Sequence, residues 1–193
     1  RLAATGAAMG QAVGTAAAMC VQRGVTAREL ADRYIRELQE TLLRQDQYIP
    51  DRPAADEENL ARQAQIVATS ADKDCPAENV VNGITRHRHG ATNQWASAPG
   101  QPLPQSIELQ WPKPQRISCI EFTFDTGFQR PLTHTQYEFL LEKQVRGPQP
   151  ETVRDLRVEA RLNGNWRKVA EIRGNYFRKR VINLGRPVET EAI

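Results

Sequence analysis
Two periodicities divide the chain. Between Ala27 and Gln45, Leu30, Tyr34, Leu38 and Leu42 recur every four residues, with Ile35 and Leu43 beside them. Arg28, Asp32, Arg33, Arg36, Glu37 and Glu40 cover the other sides. That spacing predicts a surface helix over 27–45 with one packed stripe. Thr26 is a natural N-cap, and Glu29 three residues on completes a capping box. Pro50 and Pro53 close the helix, and Asp51–Asn59 (DRPAADEEN) reads as an acidic linker.

From Ala61 the period falls to two. Gln65–Ser70, Ser106–Gln110, Ile117–Asp125 and Gln136–Lys143 are strand-like. The clearest case is Asp155–Leu162, where Leu156, Val158, Ala160 and Leu162 alternate with Asp155, Arg157, Glu159 and Arg161. Asn163-Gly164 follows as a hairpin signal, and Trp166–Ile172 returns. Arg178–Leu184 is a further strand. No helix of comparable length follows Asn59, so the pattern is that of an antiparallel sandwich. A sandwich of this kind is expected to need more chain after Pro187–Ile193, so its C-terminal end reads as truncated.

The first stretch, Arg1–Cys20 (RLAATGAAMGQAVGTAAAMC), fits neither pattern. After Arg1 it has no charge, and Gly10, Gly14 and Ala18 fall on one side of any helix it forms. A helix is predicted from Met9 to about Gln22, with Gly6 punctuating its entry and Gly24 as its C-terminal cap. Two internal glycines cost roughly 1 kcal/mol each relative to Ala, so something close should offset them. Tight packing against a strand or helix is one answer. A helix N-terminus aimed at an electron-rich cofactor atom is the other. The fold class is therefore α + β: helices over 1–50, a linker over 51–59 and a β-sandwich over 60–193.

Composition changes little. The net charge of +3 is split as −2 over residues 1–60 and +5 over 61–193, too weak for a nucleic-acid partner. Leu2–Val21 is long enough to cross a bilayer at about 20 residues, but Ala and Gly supply little transfer energy, so no membrane partner is expected. The first residue is Arg1 rather than Met, which reads as a processed or shortened chain. Cys20, Cys75 and Cys119 are odd in number and lack metal-ligand spacing, so they read as reduced and structural.

Two segments resemble known families. RLAATGAAMGQAVGTAAAMC followed by YIRELQETLLRQDQYIP resembles the carboxyl-terminal end of a bacterial FAD-dependent oxidoreductase with a glutathione-reductase-like flavin fold. The resemblance implies FAD in a longer chain. Met9, Gly10, Gln11 and Ala12 would meet the pyrimidine side of the flavin at a helix N-terminus, and Thr5 and Gly6 would shape the turn before it. It also implies a missing amino-terminal flavin domain as partner, since no GxGxxG follows a strand here. This fragment alone is expected neither to hold FAD nor to be active. The segments ARQAQIVATSADKD, AENVVNGI, NQWAS, SIELQWPKPQRISCIEFTFDT and NGNWRKVAEIRGNYFRKRVI resemble a discoidin-like, galactose-binding-like jelly roll. The alternative function is thus a non-catalytic module recognising carbohydrate or a partner protein. Such modules often hold Ca²⁺ with an Asp-Gly loop; here the loop reads Asn82-Gly83, and no metal is assigned.

The remaining candidates stay open. His87 and His89, with His134, could share a zinc ion but read better as solvated loop histidines. Arg178, Lys179 and Arg180 beside Tyr176 and Phe177 could bind phosphate or a sugar chain, or be a solvated strand end. Trp95 and Trp166 read as core, and Trp111 beside Pro112 as a turn residue. No Ser-His-Asp order or paired carboxylate stands out, so no catalytic residue is assigned.

Overall fold
The computed structural model describes residues 2–88, 90–127 and 137–193. The chain divides into two compact units, Arg1–Arg62 with Ala71–Ala98, and Gln63–Ser70 with Pro99–Ile193. The sequence pattern places 71–98 with the strands; in the fold it is part of the helical unit.

The helical unit contains α1 (Leu2–Arg23), α2 (Ala27–Arg33) and α3 (Ile35–Arg44). The predicted start at Met9 is corrected: the helix runs straight through Thr5 and Gly6, because Ala, Leu and Met around them favour helix enough to carry the glycines. It ends as predicted. Gly24 has φ 64°, and the Val25 N–H donates to Cys20 O at 3.0 Å, which satisfies a terminal carbonyl. Thr26 caps α2: its hydroxyl accepts the Glu29 N–H, and the Glu29 carboxylate accepts the Thr26 N–H at 2.8 Å. The Thr26 N–H, and after it the Thr26 hydroxyl, which donates to the same carboxylate oxygen at 2.9 Å, hold the Glu29 carboxyl below its ordinary range. The predicted helix over 27–45 is two helices, broken at Tyr34, whose φ of −125° is not helical. The Tyr34 ring sits between the guanidiniums of Arg23 and Arg33, 4.6 and 5.3 Å from its centroid.

Met19, Leu30, Leu38 and Leu42 form the core of this unit, with Ala12, Ala16, Cys20, Val25, Tyr34 and Ile49 packed around them. The buried face of α1 is thus the Ala12–Ala16–Met19 side. Polar side chains tie the helices together: Gln47 Nε2 donates to Ala8 O at 3.0 Å and Gln11 Nε2 to Gln45 Oε1 at 2.9 Å.

Residues 71–98 are held by amides rather than by strands. Asn79 Nδ2 donates to Thr92 O and Gln94 O, and Asn82 Nδ2 to the side-chain oxygens of Asn79 and Asn93. Asn82 Oδ1 in turn accepts the Ile84 N–H. Arg86 grips Asp46, with Nη1 2.9 Å from Oδ1 and Nη2 3.1 Å from the main-chain oxygen.

The β unit has a three-stranded antiparallel sheet, β1 (Gln65–Ala68), β2 (Ile107–Thr123) and β5 (Lys179–Ala192), with β2 central. A separate hairpin is made by β3 (Leu156–Leu162) and β4 (Asn165–Ile172). Asn163 and Gly164 both take positive φ, the two-residue turn their identities predict. Two pairs of predicted segments are single long strands. β2 passes through Pro112 and Pro114 because its pairing with β5 skips from Gln110 to Gln115, so the missing N–H groups break no ladder bond. β5 passes through Gly185 and Pro187 in the same way: Asn183 pairs with Cys119 and Val188 with Ile117, and the residues between bulge out. The strand expected over 136–143 is corrected to a helical turn, α4 (Glu138–Leu141), with Gln136 outside the described residues.

Trp111, Ile117, Val158, Ala160, Ile172 and Ala192 are the buried apolar residues of this unit. Trp111 belongs to the core rather than to a turn, and Trp166, expected in the core, is 45% exposed. Both follow from strand geometry, because Trp111 lies inside β2 and Trp166 beside the solvated hairpin tip. Thr190 is buried, donating its hydroxyl to Arg161 O at 2.9 Å and thereby joining β5 to β3.

Gly83 carries the tightest backbone approach in the helical unit. It has φ 78°, its carbonyl accepts the Ala54 N–H at 2.8 Å, and a Cβ there would overlap the Ala54 carbonyl. Gly83→Ala is expected to cost about 1–3 kcal/mol, read as a lower urea midpoint by far-UV circular dichroism; an unchanged midpoint would show that the Ala54 segment moves aside freely.

Candidate functional site
The strands leave three segments at one end of the β unit without ladder partners: Phe124–Gly127 after β2, the stretch 147–152, and 173–178 between β4 and β5. Buried backbone must be satisfied by something, and here side chains do it. Asn175 is 4% exposed. Its amide donates to Val153 O at 2.9 Å and Phe177 O at 3.1 Å, and its oxygen accepts the Phe177 N–H. The Asn175 N–H donates to Arg154 O at 2.7 Å. Thr152, also buried, donates its hydroxyl to Asp125 O at 2.9 Å. Arg178 donates to Phe124 O at 2.7 Å, and the Phe124 N–H returns to Arg178 O. Asp125 accepts the Gly127 N–H at 2.9 Å, and Gln149 donates to Val145 O and Gly147 O. Three irregular segments thereby become one cross-linked cluster.

Asp155 fixes the turn from the other side. It accepts the Gly174 N–H at 2.8 Å and pairs with Arg154 at 2.7 Å. The Gly174 bond, then Arg154, holds its carboxyl below the ordinary 3.8.

This cluster frames an open cleft of about 450 Å³ lined by Thr126, Gly147, Pro148, Gln149 and Tyr176. The Asn175 amide sets the direction of the two aromatic residues after it. Tyr176 and Phe177 are 58% and 48% exposed, their ring centroids 4.2 Å apart with the planes tilted 32°. The Arg180 guanidinium lies 5.4 Å from the Phe177 ring centroid, a cation–π distance. Tyr137 and Phe139 are a second exposed aromatic pair; what sets Tyr176 and Phe177 apart is that the loop carrying them is braced beside the cleft.

The other sequence candidates fall elsewhere. Thr5, Gly6, Met9, Gly10 and Gln11 are exposed, and Ala12 packs toward the core. All six lie within α1, so the N–H groups of Met9, Gly10, Gln11 and Ala12 are committed to the helix ladder. The free donor end that the flavin resemblance implies is not presented by these residues. Gly6, Gly10 and Gly14 would have nothing within 4 Å of an added Cβ. His87 is exposed with its ring 3.4 Å from Gln94 Oε1; His89 and His134 lie outside the described residues. Among the described residues no three His, Cys, Asp or Glu side chains gather to hold a metal, and no helix is long and apolar enough to cross a membrane. Cys20, Cys75 and Cys119 are free thiols, and the Cys119 thiol, though on an exposed residue, is pushed up by partial desolvation and by Glu121.

The run from Tyr176 to Arg180 was visible as a sequence candidate; its partners were not. Thr126 and Gly147–Gln149 carry no motif, and only their loops' convergence marks them.

No protein-family profile matches the chain, and no curated protein does. Among solved structures, it is similar to the family 32 carbohydrate-binding module of C. perfringens NanJ in complex with galactose, at 18% identity, TM-score 0.46, over 68% of this chain and 80% of that one. It is also similar to the family 32 module of Streptococcus pneumoniae EndoD, at 17% identity, TM-score 0.47, over 67% and 77%. A Clostridium perfringens module solved with GalNAc-β-1,3-galactose matches at 16% identity, TM-score 0.48, over 68% and 81%. Likeness at this level assigns neither a ligand nor site residues to this chain.

If Asn175 orients the aromatic pair, Asn175→Ala should leave the Val153 and Phe177 groups unpaired and cost roughly 1–3 kcal/mol. Thermal melting reads the loss, and the Tyr176 and Phe177 ring signals in NMR should collapse toward free-rotor shifts. A melting point and ring shifts equal to the parent's would show the amide to be dispensable.

Proposed function
We propose that the β unit is a non-catalytic, discoidin-like module that binds carbohydrate in the loop-end cleft. The observation that carries this reading is the exposed Tyr176–Phe177 pair standing on backbone that Asn175 holds still. A sugar ring has a C–H face that packs on an aromatic ring, and hydroxyls that need donors and acceptors at its edge. The cleft offers both, with Tyr176 as the platform and the Thr126 hydroxyl at its rim. Among the described residues the Thr126 hydroxyl makes no hydrogen bond to the protein, which leaves it for a ligand. The size also fits a small ligand: the volume lies in the range of roughly 300–1,000 Å³ usual for such sites. A protein partner would need on the order of 800 Å² of surface on each side, far more than five lining residues provide. Ordered walls matter here, because a preorganised loop loses little entropy on binding.

A second reading keeps α1 as part of a flavin-binding domain in a longer chain. It is favoured by the uncharged outer side of α1, where Gly10 and Gly14 have open space above them and Met9, Val13 and Val21 are exposed. The FAD chemistry would be hydride transfer at the flavin, and this chain would contribute packing only.

The full 193-residue chain on a glycan array should bind a limited set of sugars, and Tyr176→Ala should weaken that binding at least tenfold, as expected when an anchoring aromatic is lost. An array without binders, or a Tyr176→Ala chain that binds unchanged, would sink the carbohydrate reading. For the second reading, a longer chain bearing the flavin domain should be yellow when folded, and Gly10→Val in it should lower flavin content; a colourless folded parent would exclude it.

A further inference from the structure
The charges around the cleft are not balanced. Carboxylates of the loop cluster are engaged: Asp125 with the Gly127 N–H, Asp155 with Gly174 and Arg154, and Glu121 with Lys179 at 2.6 Å. Two guanidiniums are not. Arg180 is half-buried, pairs with Phe122 in register, and makes its contact with the Phe177 ring rather than with an acid. Arg146 is exposed directly before Gly147, which lines the cleft. Neither forms an ion pair with the described residues. Elsewhere in this unit Arg154, Arg157, Arg161, Lys168 and Arg173 each meet a carboxylate, whereas Lys113, Arg116, Arg167 and Arg186 form no ion pair with the described residues; what distinguishes Arg180 is its place against the Phe177 ring.

An unpaired guanidinium stacked on an exposed ring is a positioned cation. The stacking restricts its rotamers, and its fork of N–H donors matches a planar carboxylate or a sulfate ester. The chain of contacts is short: guanidinium to Phe177 at 5.4 Å, Phe177 to Tyr176 at 4.2 Å, and Tyr176 to the cleft. We propose that the cleft selects acidic sugars, with Tyr176 stacking on the ring and Arg180, supported by Arg146, receiving its anionic group. This rests on the carbohydrate reading above and narrows it. Neutral sugars use the same platform with lower affinity, because they leave the guanidinium without a partner.

The test is calorimetric titration of the full chain with four probes: an oligogalacturonate, the same oligomer with its carboxyls reduced to alcohols, a sulfated galactan oligomer, and a short DNA duplex. The oligogalacturonate or the sulfated oligomer should bind roughly tenfold or more tightly than the reduced one, and which of the two does so identifies the anion. Arg180→Gln should erase that preference while the reduced oligomer binds as before; Arg180→Lys should keep part of it. Equal affinity for acidic and reduced oligomers, or a preference that survives Arg180→Gln, would overturn acidic selection and leave carbohydrate binding standing. Binding of no sugar at all would overturn both. DNA binding as tight as the acidic oligomer would show a general attraction to polyanions and would also overturn the proposal.

Discussion

The amide of Asn175 is the constraint on which the functional end of the β unit depends. A strand satisfies its backbone by pairing, but a loop at the end of a sheet has no such partner. Each of the segments 124–127, 147–152 and 173–178 therefore needs outside donors and acceptors. One buried amide serves three backbone groups and, with Thr152 and Arg178, replaces the ladder that the strands no longer provide. The rings of Tyr176 and Phe177 can then stand in solvent at fixed positions. Apolar packing could not do this, because the cluster encloses main-chain polar groups whose burial without partners is costly.

The helical unit solves the same problem in another way. Its regular helices satisfy themselves, and side-chain amides are spent on residues 71–98, where Asn79, Asn82 and Asn93 stand in for strands. Asn82 illustrates why residue type matters more than loop position. Its NH₂ group points at two other side-chain oxygens, so the spot where an acidic residue would concentrate negative charge is here a neutral cross-link. The neighbouring glycine is needed for a separate reason, the close pass of the Ala54 segment.

How much could be read beforehand depends on how local each signal is. The capping box at Thr26, the C-terminal cap at Gly24 and the Asn163-Gly164 turn depend on a few adjacent residues, and all three stand where the sequence puts them. The α1 start, the break at Tyr34 and the continuity of β2 and β5 do not. Pro112, Pro114, Gly185 and Pro187 look like strand stops locally and are overruled by register shifts that only the partner strand defines. The α1 glycines invite a close neighbour, but the helix turns its Ala12–Ala16–Met19 side inward because those residues meet Leu30, Leu38 and Leu42. At the candidate site, Tyr176 to Arg180 stood out by composition. Asn175 did not, since a buried asparagine and a solvated one look alike in sequence.

The prolines of β2 have one more effect. Among the described residues, pairing on the side of β2 that faces β1 ends at Gln110, and from 111 to 114 neither neighbour is bonded. A bare strand of this length is a template onto which another chain can polymerise. Pro112 and Pro114 are two residues apart, so their nitrogens face the same way, and that side of the strand presents carbonyls with no alternating donors. An incoming strand could not form a continuous ladder there. Over these few residues the prolines thus remove the donors that a further strand would need.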